Sequence, residues 1–176
     1  MEIATTARLR LRTITLEDAA FYLELVTDPA FIEHIGDRGI RSVEEARRAL
    51  AAGPLAMQQA RGHSIYLVEL KDSGRPIGMS GLIKRDALED VDIGYAFLPA
   101  WRGHGYAFEA GAAVLAYAPT LGLTRVVAIT SPANAASNGL LRKLGLRFSH
   151  FTRALPDGDG SNLYVIEFRQ TSARDA

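Results

Sequence analysis

The run Leu98-Pro99-Ala100-Trp101-Arg102-Gly103-His104-Gly105-Tyr106-Ala107-Phe108-Glu109-Ala110 constrains this chain more than any other segment. A strand-like stretch, Val91 to Leu98, leads into it, and an alanine-rich helical stretch, Ala107 to Ala118, leads out. A glycine-bearing turn between a strand and a helix start presents several backbone N–H groups, with the positive end of the helix dipole behind them. That arrangement suits a phosphate or pyrophosphate. Two familiar phosphate loops fail on spacing. A Walker A loop needs a lysine after its last glycine, but Tyr106 follows Gly105. A dinucleotide fingerprint needs a third glycine where Phe108 stands. The plain alternative is that Gly103 and Gly105 merely make a turn.

The remaining elements follow from periodicity and punctuation. Arg8-Leu9-Arg10-Leu11-Arg12 alternates as a strand does, with the arginines read as a solubilising edge face. Thr15 caps a helix carrying Asp18, Ala19, Leu23 and Val26, which Asp28-Pro29 ends. Ser42 and Glu45 form a capping box for a second helix that stops before Gly53-Pro54, with helical character again from Met57 to Ala60. Strands are expected at Ser64–Leu70, Pro76–Ile83 and Asp90–Leu98, the first two joined by a turn at Asp72-Ser73-Gly74. The Gly78-Met79-Ser80-Gly81 run reads as plain strand. After the Ala107 helix come a strand at Arg125–Thr130 and a helix from Asn134 to Leu144, stopped by Gly145. A last strand pair, Arg147–Arg153 and Leu163–Arg169, flanks a loop containing Asp157-Gly158-Asp159-Gly160. This order implies an α/β (α+β) fold: a mixed, mostly antiparallel sheet of about seven strands flanked by about four helices. The strands on either side of the Ala107 helix form its parallel pair, and residues 1–176 make a single domain.

Bulk properties exclude several classes. With 48% apolar residues, 23% charged residues and 20 basic against 20 acidic groups, the chain is neither disordered nor an extended nucleic-acid binder. The absence of cysteine rules out thiolate metal sites and a cysteine nucleophile. His34, His63, His104 and His150 show no metal spacing, and no metal is expected. No signal-like or membrane-spanning run is visible, so a cytoplasmic location is expected.

Arg102, Gly105 and Ala107 fill the pattern Arg/Gln-x-x-Gly-x-Gly/Ala, which resembles the acyl-CoA pyrophosphate loop of the GNAT family of N-acetyltransferases. Asp92-Ile93-Gly94-Tyr95 is similar to the strand before that loop. Asn134-Ala135-Ala136-Ser137 with Leu144-Gly145-Leu146 resembles the family's last helix. Together with Trp101, Glu109 and Leu9-Arg10-Leu11-Arg12, the three blocks resemble the ribosomal-protein N-terminal (RimJ/RimL-like) branch. The resemblance implies acetyl-CoA as cosubstrate and a direct transfer to a primary amine, borne by a protein N-terminus. A small-molecule or antibiotic acetyltransferase, and a catalytically decayed CoA-binding regulator, stand beside that reading. It further implies that Phe97 and Leu98 serve the pantetheine arm and acetyl carbonyl through their backbones. Arg102, Gly103, His104, Gly105, Tyr106 and Ala107 would form the pyrophosphate loop, with Asn134 against the pantetheine. Nucleic acid and membrane are not expected partners, and a homodimer stays open.

Acetyl transfer needs a neutral amine, a stabilised oxyanion and a proton for the departing thiolate. Asp92 is the first candidate base, against the alternative of a strand carboxylate paired with an arginine; Glu69 is held in reserve. Many family members carry a tyrosine on the last helix where this chain has Leu141, so Ser137 is the nearest hydroxyl for the sulfur. Its competing role is a first-turn helix hydrogen bond, and Asn134 is divided between capping that helix and holding the pantetheine. Phe21, Tyr22, Phe31, Ile32 and Ile35 are expected around the acceptor, and Trp101 fills core or walls the cofactor entrance. Deprotonating a lysine (pKa ~10.4) costs about 3 kcal/mol more than an α-amine (pKa ~8), which favours the α-amine.

Overall fold

The computed structural model describes residues 1–153 and 160–168. The Asp157–Asp159 part of the expected loop and the strand end at Arg169 lie outside these residues. The strands are β1 (Glu2–Thr5), β2 (Leu9–Thr13), β3 (Ile65–Leu70), β4 (Pro76–Ile83), β5 (Asp92–Phe97), β6 (Arg125–Thr130), β7 (Arg147–Thr152) and β8 (Ser161–Glu167). They form one sheet in the order β1-β2-β3-β4-β5-β6-β8-β7. All neighbours run antiparallel except β5 and β6.

The helices are α1 (Ala19–Val26), α2 (Pro29–His34), α3 (Val43–Leu50), α4 (Ala56–Arg61), α5 (Tyr106–Tyr117) and α6 (Ala135–Lys143). Three expectations are corrected. The sheet has eight strands: β1 was missed because four residues are too few to show alternation, and by covering β2 it makes that strand internal. Asp28-Pro29 ends α1 but also starts α2. The Asp28 carboxylate accepts the Phe31 N–H, and proline at the first helical position needs no acceptor. Gly53-Pro54 does not stop the second helix either. A π turn at Ala51–Leu55 absorbs the missing Pro54 donor, so α3 and α4 run on as one helix. Counted that way the described residues hold five helices, where about four were expected.

Each sheet face carries its own core. Leu9, Leu11, Tyr66, Val68, Ile93 and Leu141 pack with Val114 of α5 on one face. Leu67 and Met79 pack with Leu25, Ala46 and Leu50 on the other. Between β5 and β6 only Asp92 and Val127 are in register, with the Val127 N–H on the Val91 carbonyl. Beyond that point the strands part. The opening lies beside the turn that begins α5, and this is where the cleft forms.

Candidate active site

The loop expected from sequence has the geometry that an anion cradle needs. Gly103 and Gly105 adopt φ of +78° and +81°, the left-handed region that favours glycine. Gly105 is the N-cap of α5 and offers no side chain to its free N–H groups. No protein acceptor takes the N–H groups of Gly103 to Ala107 among the described residues, and the helix ladder begins only with Glu109 N–H on the Gly105 carbonyl. Consecutive free donors at an uncapped helix start fit a pyrophosphate. The merely structural reading of the two glycines does not account for them.

The loop is clamped from both sides. On one side the Glu109 carboxylate accepts from the Arg8 backbone N–H (2.9 Å), Arg8 Nε (2.7 Å) and Thr6 Oγ1 (2.6 Å). Arg8 Nη1 donates to the His104 carbonyl at 3.0 Å, and its guanidinium stacks 4.4 Å from the Tyr106 ring. On the other side Arg102 Nε donates to the Phe97 carbonyl at 2.9 Å and Nη2 to the Asp28 carboxylate. Arg102 is therefore a strut between the loop, β5 and the start of α2, with its guanidinium already engaged. Trp101 packs against both cores and also lines the cleft.

One expected cofactor contact, at Leu98, changes, and the His104 ring takes no part. Leu98 is buried; its N–H donates to Ile77 and its carbonyl accepts from Trp101, so it offers nothing to the cleft. His104 supplies its carbonyl to Arg8, and its ring lies against Tyr106 and does not line the cleft. Because Leu98 bonds toward β4, strand alternation turns the backbone groups of Tyr95 and Phe97 toward the opening. Phe97 thus keeps its N–H for a ligand, its carbonyl being held by Arg102.

Asp92 and Glu69 are separated by the fold. Asp92 lies at the foot of the opening, is 1% exposed and lines the cleft. Arg85 Nε sits 3.1 Å from each of its oxygens. Burial pushes the Asp92 carboxyl above its ordinary value, and Arg85 opposes that rise. The group is thus a stronger base than an ordinary aspartate, and it is also the arginine-paired strand carboxylate of the competing reading. Glu69 does not reach the cleft. It is saturated by Arg10 (2.9 and 2.6 Å) and Arg12 (2.8 Å), while Arg12 also holds Asp18. The alternating arginines in and just before β2 are thereby corrected from a solubilising face to a set of ion pairs: Arg8 with Glu109, Arg10 and Arg12 with Glu69.

At the far side of the opening, Asn134 caps α6 by accepting the Ser137 N–H on Oδ1 at 3.0 Å. Its Nδ2 has no acceptor among the described residues, so capping and ligand holding use different atoms. Asn138 fixes the helix: it donates to Ser131 and Asn134 carbonyls and accepts from Asn162 and Tyr164. Leu141 is 1% exposed and packs in the core; its neighbour Leu140 lines the cleft. Ser137 Oγ, on the cleft side, meets the Tyr95 hydroxyl at 2.8 Å. Tyr95 stands within a sequence motif that gives it no role of its own, and nothing in the sequence assigns Arg85, Asp28 and Arg8 a part in the site. Their contacts cross between elements and leave no local pattern. The opposite end of the cleft is walled by Tyr22, Phe31, Ile35, Pro54, Met57 and Met79; Phe21 and Ile32 stay out of it.

A sheet split at one parallel pair, with an anion cradle at the adjoining helix start and a carboxylate at the foot of the split, is the plan of an acetyl-CoA-dependent acetyltransferase. Residues 8–147 match the acetyltransferase (GNAT) domain, and the chain belongs to that family of N-acetyltransferases. It is 30% identical over 147 residues to the uncharacterized N-acetyltransferase YoaA of Bacillus subtilis (strain 168), covering 82% of each chain. It shares its fold with a GNAT-family acetyltransferase from Bacillus anthracis, with TM-score 0.77, 24% identity and coverage of 95% and 98% of the two chains. It also shares its fold with RimL, the ribosomal L7/L12 alpha-N-protein acetyltransferase in complex with coenzyme A. There the TM-score is 0.81 and the identity 18%, again over 95% and 98%. Acetyltransferases of this family use acetyl-CoA as donor.

Proposed function

We propose that the chain, acting as one domain, moves the acetyl group of acetyl-CoA directly onto the α-amine of a peptide or protein N-terminus. The observation that carries this reading is the charge and polarity of the cleft opposite the cradle. Over the whole cleft, three carboxylates (Glu33, Asp86, Asp92) face four basic side chains (Arg38, Arg85, Arg102, Lys143). A polyamine or aminoglycoside carries several positive charges and needs an excess of carboxylates. This cleft instead has no excess of carboxylates: apolar Tyr22, Phe31, Ile35, Met57 and Met79 share the lining with Glu33, His34 and Arg38, and Asp92 lies at the foot of the split, which suits a single amine followed by an apolar side chain.

The Gly103–Ala107 N–H groups would hold the pyrophosphate, the Phe97 N–H the acetyl carbonyl, and Asn134 Nδ2 the pantetheine. Asp92, its basicity raised by burial, would take the amine's proton, directly or through water. The substrate of RimL, an α-amine of a ribosomal protein, is the same chemical class as the acceptor proposed here. Against the decayed-regulator alternative stand the polar groups that line the cleft, Asp92, Tyr95, Asn134 and Ser137, while Leu141 is buried. The reading carries a cytoplasmic location with it; no described helix is long and apolar enough to cross a membrane.

The test is release of CoA thiol from acetyl-CoA with three acceptor sets: short peptides beginning Ser or Ala before an apolar residue, spermidine, and kanamycin. Turnover is expected on the peptides. Turnover confined to spermidine or kanamycin overturns the α-amine assignment, and absence of CoA binding by calorimetry at millimolar ligand overturns the donor assignment.

A further inference from the structure

We propose that Tyr95 is the proton source for the departing thiolate, acting through Ser137. The inference rests on the acetyltransferase reading of the same cleft, and it fills the gap left by the lack of a tyrosine on α6.

The hydroxyl pair spans the opening itself. Tyr95 projects from β5, one arm of the split, and Ser137 from the first turn of α6, which follows the other arm, β6; their oxygens are 2.8 Å apart. Both side chains line the cleft on the α6 side of the sheet. The Tyr95 ring packs against the core beneath α5. Asp92 lies three residues earlier, about 10 Å along the strand, and the alternation of a strand puts it on the opposite sheet face. The two groups therefore divide the reaction: the amine loses its proton on one face and the sulfur gains one on the other.

Serine alone cannot supply that proton, because its hydroxyl is far too weak an acid. A phenol changes the balance. An ordinary thiol titrates near ~8.5 and an ordinary tyrosine near ~10, so transfer from phenol to thiolate is unfavourable by a factor of only about 30. Burial pushes the Tyr95 hydroxyl up, with the Ser137 contact opposing it; this keeps the phenol protonated through neutral pH and raises that factor above its value for ordinary groups. In the step, the amine nitrogen bonds to the acetyl carbonyl carbon and its surplus proton leaves toward Asp92. The C–S bond breaks with its electron pair on sulfur. Sulfur takes the Ser137 hydroxyl proton as Ser137 Oγ takes the phenolic proton. The Tyr95 phenolate then takes a proton from solvent while the Asp92 carboxyl returns one to it, so that overall a single proton passes from the amine to the sulfur.

Tyr95→Phe keeps the ring and deletes the relay. The acceptor-independent readout is the thiolate absorbance of bound CoA as pH is raised. In the wild type, donation from the pair lowers the thiol's titration below that of free CoA; in Tyr95→Phe and Ser137→Ala it returns toward the free value. In acetyl transfer, kcat of Tyr95→Phe falls at least about tenfold with KM for acetyl-CoA unchanged. Replacing tyrosine by a fluorotyrosine of lower pKa moves the alkaline limb of the rate profile down. The contributions of Lys143 and Tyr106, the other ionisable side chains of α6 and α5 that line the cleft, are separated by Lys143→Met and Tyr106→Phe. An unshifted CoA titration, or an unchanged kcat and alkaline limb, in a Tyr95→Phe protein that binds CoA normally overturns the relay alone. Loss of CoA binding by the wild type overturns the cofactor reading and the relay with it.

Discussion

Two buried carboxylates project from the same face of the sheet, Glu69 on β3 and Asp92 on β5, and their surroundings make them different chemical objects. Beside Glu69 the sheet is complete. β2 lies against β3 and places arginines at alternate positions, so three charge-assisted hydrogen bonds occupy the carboxylate. Beside Asp92 the sheet opens. β6 leaves β5 after one residue pair, and a single arginine nitrogen, shared between both oxygens at 3.1 Å, is the partner. A continuous sheet saturates a buried carboxylate, whereas a split one leaves it lone pairs for a substrate's proton. Strand composition does not distinguish the two cases; the neighbouring strand does.

The largest effect that sharpens this contrast is on rate. Asp92→Asn lowers kcat/KM on the peptide acceptor by about 10²–10³-fold, the usual contribution of a positioned base, with the melting temperature little changed. An equal rate removes Asp92 from the chemistry. Its stability profile is a second check. The folded carboxyl titrates above its unfolded value near 3.8, so its contribution to folding is present below that pH and is lost as pH rises through the folded value. Asp92→Asn flattens that slope in melts taken across the acidic range.

Glu69→Gln reverses the pattern, with stability changing and chemistry preserved. Removing one partner of a fully buried pair costs about 3–5 kcal/mol; the exposed ends of Arg10 and Arg12 reduce this to about 2 kcal/mol. The melting temperature then drops by about 4–8 °C, and the folded fraction keeps its specific activity. A selective loss of kcat instead places Glu69 in the reaction.

Arg85→Met probes the Asp92 pair more finely. Arg85 holds the Asp92 carboxyl down against burial, so its removal moves the acidic limb of the kcat/KM profile to higher pH and spares the alkaline rate. A limb that stays fixed shows that Asp92 does not set it. The smallest effect is at the strut. Asp28→Ala removes the α2 cap at about 1 kcal/mol and frees Arg102, and calorimetry then reports a few-fold weaker acetyl-CoA binding. Unchanged affinity would mean that the loop holds its shape without the strut.

Much of the donor half was legible because its determinants are local. Gly103 and Gly105 need left-handed backbone, the Ala107 run needs a helix, and the β-rich stretch before them needs a strand; together they describe a cradle wherever they occur. Ser42 with Glu45, and Gly145, likewise marked helix ends that the structure confirms, with the Leu146 N–H closing on the Leu141 carbonyl. The misreadings came where one residue serves two elements. Asp28-Pro29 both stops and starts a helix, Pro54 is accommodated by a π turn, and Arg102 completes a loop motif while its guanidinium bridges to another helix. The acceptor half has no comparable signature, because apolar side chains at a cleft wall and in a core have the same spacing.

The sequence by itself determined the glycine turn before α5, most of the order of elements and hence the family, since backbone preferences act within a few residues of their cause. The tertiary structure decided which carboxylate faces the cleft, which arginines are spent as struts, and which two hydroxyls meet. Those contacts join residues 42 to 103 positions apart: Tyr95 with Ser137, Asp28 with Arg102, Thr6 with Glu109. A hydrogen bond or ion pair acts over a few ångströms of space, and only the folded sheet, split at one pair of strands, brings these groups within that range.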